Sequence, residues 1–178
     1  MNISKIEVGE LQCNCYLLEK DNNCLIIDPG AEYPKIKNFI KEKNLIGILL
    51  THHHFDHIGC VNNLINDYNI PVYDNNNLKE GINHISNFTF EVIKTYGHTM
   101  DSITYYFESD KVMFTGDFLF YDTIGRCDFP ESNVEEMISS IKKIKTYHDD
   151  ITIYPGHSIE TNLGREKQHN IYFKIKVN

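Results

Sequence analysis

The chain has 178 residues, with 17 basic and 25 acidic side chains and a formal net charge of −8. That length suits one domain, 1–178, and a composition of 41% apolar and 24% charged residues excludes a disordered chain. The acidic balance argues against a nucleic-acid partner, and no apolar run approaches the roughly 18 residues of a membrane span. The start, Met1-Asn2-Ile3-Ser4-Lys5, lacks the order of a signal peptide, so a cytoplasmic location is expected.

Apolar runs at 15–18 and 24–27 predict buried strands, the second stopped by the turn Asp28-Pro29-Gly30. Pro34 suits a first helical residue, and Ile36, Phe39 and Ile40 give a helical stripe to about Lys43. A strand at 45–50 ends at Thr51, and Ile58, Val61, Leu64, Ile65 and Tyr68 predict a helix after it. A short strand at 70–73 follows, then alternation at Phe88, Phe90 and Val92 and at Ile103, Tyr105 and Phe107. Residues 112–115 complete a hairpin around Ser109-Asp110. Ser132 and Glu135 read as a capping box for a helix burying Met137, Ile141 and Ile144. The last strand covers 151–154, and a packing helix is expected from about Asn162. Strands joined partly by hairpins and partly by helices point to an α/β fold of sheets covered by helices.

Five cysteines (Cys13, Cys15, Cys24, Cys60 and Cys127) are scattered without paired CxxC motifs and read as reduced, buried thiols. The histidines are more informative. In Thr51-His52-His53-His54-Phe55-Asp56-His57, between a strand end and a helix start, His52, His54, Asp56 and His57 place four potential ligands within six positions. Imidazole and carboxylate together suit zinc, or iron and manganese as the site hardens. Three further groups follow apolar strands and sit beside glycine: His98 in Gly97-His98-Thr99, Asp117 in Gly116-Asp117 and His157 in Pro155-Gly156-His157. Singly each reads as a turn residue; together, at successive strand ends, they read as one centre.

This pattern, with Asn14-Cys15-Tyr16, Asp28-Pro29-Gly30, Thr115-Gly116-Asp117 and Ile124-Gly125-Arg126-Cys127-Asp128, resembles the metallo-β-lactamase superfamily, and most of all its glyoxalase II-like thioester hydrolases. The resemblance implies a four-layer αβ/βα sandwich of mixed sheets with helices on the outer faces. It implies two zinc ions (iron or manganese as substitutes), one held by His52, His54 and His98, the other by Asp56, His57 and His157, with Asp117 bridging. By the same resemblance His53 is not a ligand but a supporting group. Asp28 either ties its loop to the metal loop or is only a turn residue.

Two such ions, about 3.5–4 Å apart, would hold a hydroxide against a substrate carbonyl, with Asp56 orienting it. A thiol leaves as thiolate without a general acid, whereas an amine needs one, and no dedicated acid stands out. That chemistry suits a thioester, and the glyoxalase II-like resemblance implies a small-molecule S-2-hydroxyacyl one as the expected partner. The alternatives are a lactone hydrolase, a mononuclear iron persulfide dioxygenase using His52, His98 and Asp117, and a non-catalytic metal module. Arg126, one of only two arginines, is either paired with Asp128 or a substrate contact. In glutathione-using relatives a Lys fills the similar place, with a Tyr two residues on. Few residues follow His157, so no separate C-terminal substrate domain is expected and glutathione is in doubt as the thiol.

Overall fold

A computed structural model describes residues 1–174. β1 (Asn2–Val8), β2 (Cys13–Lys20), β3 (Asn23–Ile27), β4 (Asn44–Leu49) and β5 (Val72–Tyr73) lie side by side in chain order as the first sheet. α1 (Tyr33–Ile40) connects β3 to β4, while α2 (Phe55–Ile58) and α3 (Val61–Tyr68) connect β4 to β5. The single helix expected over 58–68 is thus two, broken at Gly59-Cys60. At the break the Cys60 amide donates to the Pro29 carbonyl (2.9 Å), and Gly59 beside it has no room for a side chain, since a Cβ there would lie 2.1 Å from the Gly30 carbonyl oxygen.

The chain then builds β6 (Gly81–Ile85), β7 (Phe88–Lys94), β8 (Ile103–Phe107) and β9 (Val112–Gly116) as an antiparallel run. A small hairpin of β10 (Leu119–Phe120) and β11 (Thr123–Ile124) precedes α4 (Val134–Ile144). β12 (Thr152–Pro155) returns parallel to β9, and β13 (Thr161–Asn162) pairs antiparallel with β12, ahead of α5 (Leu163–His169). Helix α4 is capped by Asn133, whose side chain accepts from the Glu135 and Glu136 amides, and not by Ser132 as the capping-box pattern suggests. Ser132 instead donates to the His98 carbonyl.

Period-2 alternation sorts side chains into layers. From β2, Cys13, Cys15 and Leu17 join Ile36 and Ile40 of α1 and Leu64 of α3. The intervening Tyr16 and Leu18 face the second sheet, meeting Phe90, Tyr105 and Phe114. On the far side of that sheet, Ile93, Met113 and Ile153 pack on Met137, Ile141 and Ile144 of α4 and Leu163 of α5. Three cores between four layers make the helix–sheet–sheet–helix sandwich. β3 and β4 run parallel, and β7, β9 and β12 share one direction, so within each sheet these strands release their loops at one edge. No described helix is long and apolar enough to cross a membrane.

Candidate metal centre

Those loops carry the residues singled out from the sequence. His52, His54, Asp56 and His57 follow β4, His98 follows β7, Asp117 follows β9 and His157 follows β12. The structure brings all seven together as two adjacent groups, His52–His54–His98–Asp117 and Asp56–His57–His157, with the donor atoms of each group within 4.8 Å of one another. Asp117 reaches into both. Its Oδ2 lies 3.6 Å from His98 Nε2 and from His157 Nε2, and its Oδ1 lies 3.3 Å from His57 Nε2.

Each imidazole is oriented through its other nitrogen. His98 Nδ1 donates to the Arg126 carbonyl (2.9 Å) and His157 Nδ1 to the Leu11 carbonyl (2.9 Å). His57 Nδ1 donates to Asp28 Oδ2 (3.0 Å), and His54 Nε2 to Glu131 Oε1 (3.2 Å). The Thr51 hydroxyl donates to Asp28 Oδ2 (2.7 Å), which leaves its lone pair for His52 Nδ1 at 3.1 Å. Acceptors on the outer side keep the proton there, so a neutral ring turns its bare lone pair inward.

Electrostatics agree with that arrangement at His52 but favour a second proton on His57. Burial, reinforced by neighbouring His57, pushes the His52 imidazole well below its ordinary range and keeps it neutral. Burial works against charge on His57 too, but Asp28 and Asp117 outweigh it and hold that imidazole well above its ordinary range. Burial would raise the Asp117 carboxyl, but His57 beside it holds it far below the usual carboxylate range. His52 Nε2 and Asp117 Oδ1 are buried with no hydrogen-bond partner. Two orphaned acceptors facing one space are costly among protein groups alone and are satisfied by a cation. The donor set, imidazoles plus carboxylates, fits a divalent transition metal.

His53 turns away from the centre and ties its loop to Asp74 (3.0 Å) and Asp101. Asp28 is 1% exposed and accepts from the Thr51 amide (2.9 Å), so the Asp-Pro-Gly turn also clamps the metal loop. Arg126 forms a two-pronged pair with Asp128 (both 2.9 Å) and lies over the Phe129 ring at 4.4 Å. All five cysteines are free thiols, four of them buried. Lys167 is engaged by Asp149 and the Tyr147 carbonyl, away from the centre, as suits a packing helix.

Sequence reasoning quoted Asn14, Tyr16 and Gly30 within its motifs without reading their roles, and missed other contributors. Asn14 donates to the Pro155 and Ser158 carbonyls (both 2.9 Å) and Tyr16 to the Pro155 carbonyl (2.6 Å), pinning the loop that carries His157. Glu131, Phe129, Leu11 and Phe120 border the centre, and only their partners across the fold reveal them. Gly30 lets the first loop touch the metal loop: a Cβ there would sit 1.6 Å from the Asp56 carbonyl oxygen.

The sequence pattern described as the Metallo-beta-lactamase superfamily matches residues 8–79 and 73–157. The chain belongs to this superfamily. The hydroxyacylglutathione hydrolase GloC of Haemophilus influenzae is 34% identical over 99% of this chain and 100% of its own length. Among solved structures, BLEG-1 B3 metallo-beta-lactamase superposes with a TM-score of 0.92 at 30% identity, over 98% of this chain and 100% of that one. TTHA1623, crystallised in a di-iron-bound form, superposes at 0.86 with 28% identity, over 94% of this chain and 98% of its own. The chain is thus a metallo-β-lactamase-superfamily metallo-hydrolase, consistent with a glyoxalase II-like member, and uses divalent metal.

Proposed function

We propose that residues 1–178 act as one domain that binds two zinc ions and hydrolyses an S-2-hydroxyacyl thioester in the cytoplasm. His52, His54 and His98 would hold one ion, Asp56, His57 and His157 the other, with Asp117 between them. A bound pair of divalent cations supplies a water acidified towards neutral pH and positive charge facing the substrate's carbonyl oxygen. Asp56 Oδ2, 3.2 Å from His157 Nε2 and 3.7 Å from His57 Nε2, stands where it can accept a proton from that water and orient it. Binding a metal at His57 requires that ring to release its extra proton.

The observation that carries the choice of substrate is the make-up of the cavity over the centre. No Lys, Tyr or Ser lines it among the described residues, and its one Arg is held by Asp128. A β-lactam or amide nitrogen would need a proton returned from Asp56 or a neighbouring histidine before it could leave. A thiol, with a pKa of roughly 8.5, leaves as thiolate unaided. The 34% identity to a hydroxyacylglutathione hydrolase supports the same reading.

Metal analysis of the purified protein, with a panel of acyl-thiol, lactone and β-lactam substrates, tests the proposal. The expected result is two zinc ions per chain and thioester hydrolysis that disappears in His54→Ala. One iron per chain with oxygen uptake on a thiol persulfide would replace it with a dioxygenase, and turnover confined to lactones with a lactonase. Metal-dependent stability with no turnover of any substrate would leave a binding module.

A further inference from the structure

The space above the centre is a cavity of about 570 Å³, and away from the metal-facing groups its walls are Leu11, Phe55, Phe120, Ile124 and Phe129. Phe55 is 75% exposed and Leu11 56% exposed, although each adjoins a residue of the site. Phe55 lies between His54 and Asp56 in the chain, and the Leu11 carbonyl holds His157. Large apolar side chains left in water at the mouth of a reactive centre are suited to being covered by ligand.

The charges around that mouth have the opposite character from a glutathione site. The only lining cation among the described residues is Arg126, and its guanidinium is occupied by Asp128 on both prongs. Glu131 places a carboxylate beside His54 in the same wall, and the whole chain carries −8. Glutathione brings two carboxylates and coenzyme A several phosphates, and no unpaired lysine or arginine among the described residues lines the cavity to meet them.

We infer that the substrate is an uncharged, apolar thioester whose hydrocarbon arm lies along Leu11, Phe55, Phe120 and Ile124, and that Asp128 helps exclude anionic thiols by occupying Arg126. This inference rests on the thioester reading above. The step balances without a further reagent: water's oxygen bonds to the acyl carbon, the C–S bond breaks, and the products are a carboxylate, a thiol and one proton. A buried methylene contributes roughly a threefold to fourfold gain in binding, so a few half-buried ones give about tenfold.

The experiment uses the zinc-loaded protein and two series of esters, acetyl to octanoyl and each with its 2-hydroxyacyl counterpart, on N-acetylcysteamine and on glutathione. The expected kcat/KM is at least tenfold higher for octanoyl than acetyl, and at least tenfold higher on N-acetylcysteamine than on glutathione. Phe55→Ser should shrink the chain-length ratio severalfold, and Asp128→Asn should shrink the thiol ratio by freeing Arg126. Calorimetry with metal-free protein adds a readout independent of turnover: the inert thioether S-(2-oxooctyl)-N-acetylcysteamine should bind at least tenfold more tightly than its glutathione counterpart. Equal or better hydrolysis and binding of the glutathione compounds, or no chain-length preference, overturns the inference. If neither series is turned over, the thioester reading fails, and the calorimetry still decides for or against an apolar, uncharged ligand.

Discussion

Replacing Asp28 by Asn isolates the part of the centre that sets which histidine nitrogen carries the proton. The substitution keeps the shape of the side chain and suits the backbone, since Asp28 has a φ of 49° and Asn tolerates that left-handed conformation. Asn Oδ1 still accepts from the Thr51 amide, but the amide NH2 now occupies the place of Oδ2, where Thr51 Oγ1 and His57 Nδ1 both donate. Thr51 can accept from the new amide and still accept from His52 Nδ1. His57 must avoid two facing donors, which favours moving its proton to Nε2, the nitrogen that points at Asp117 and His157. The lone pair meant for the metal is then lost. Loss of such an outer partner costs about 10–100-fold in metal affinity, or roughly 1.4–3 kcal/mol. The cost should fall mainly on the ion proposed for Asp56, His57 and His157, with a smaller effect on the one proposed for His52, His54 and His98. Competition titration of the metal-free variant with zinc against a chromophoric chelator resolves the two constants. Two ions bound with unchanged affinity would refute the tautomer argument. Equal loss of both, with a large drop in Tm, would show that Asp28 holds the loops and not the proton.

Gly30→Ala should destabilise the protein by about 3 kcal/mol or more in urea unfolding, because its Cβ would sit 1.6 Å from a backbone oxygen in a loop that cannot retreat without moving α2. His53→Gln should leave the metal stoichiometry unchanged while lowering Tm, since its bonds run to Asp74 and Asp101; loss of one ion would place it among the ligands. In the native protein at pH 8, a thiol reagent should modify Cys127 alone. Burial pushes Cys13 and Cys24 up to about 11, so rapid labelling of more than one thiol before unfolding would contradict the packing.

The strands easiest to read in advance are the ones with two buried faces. β8 is buried at all five positions and shows as Ile103, Tyr105 and Phe107. β1 lies at the edge of the first sheet and β6 at the edge of the second, each with exposed or half-exposed positions along most of its length, and neither stands out in the sequence. Edge strands owe their place to main-chain pairing, as Ile6 with Cys15 or Asn83 with Phe90, which leaves little hydrophobic trace. The Ser132 capping pattern misleads by one residue because a serine and an asparagine stand together. Tertiary contact decides between them, sending Ser132 to the His98 carbonyl.

The seven side chains that the structure gathers into two adjacent groups were all singled out from the chain alone, because strand ends offer a recurring place for such donor atoms. Their inward nitrogens could not be read there, because the acceptors that set them, such as Leu11 for His157 and Arg126 for His98, belong to other loops. The apolar wall of the cavity was equally hidden. Leu11, Phe55 and Phe120 carry no local signal, since an exposed apolar side chain is ordinary until folding places it beside a reactive centre.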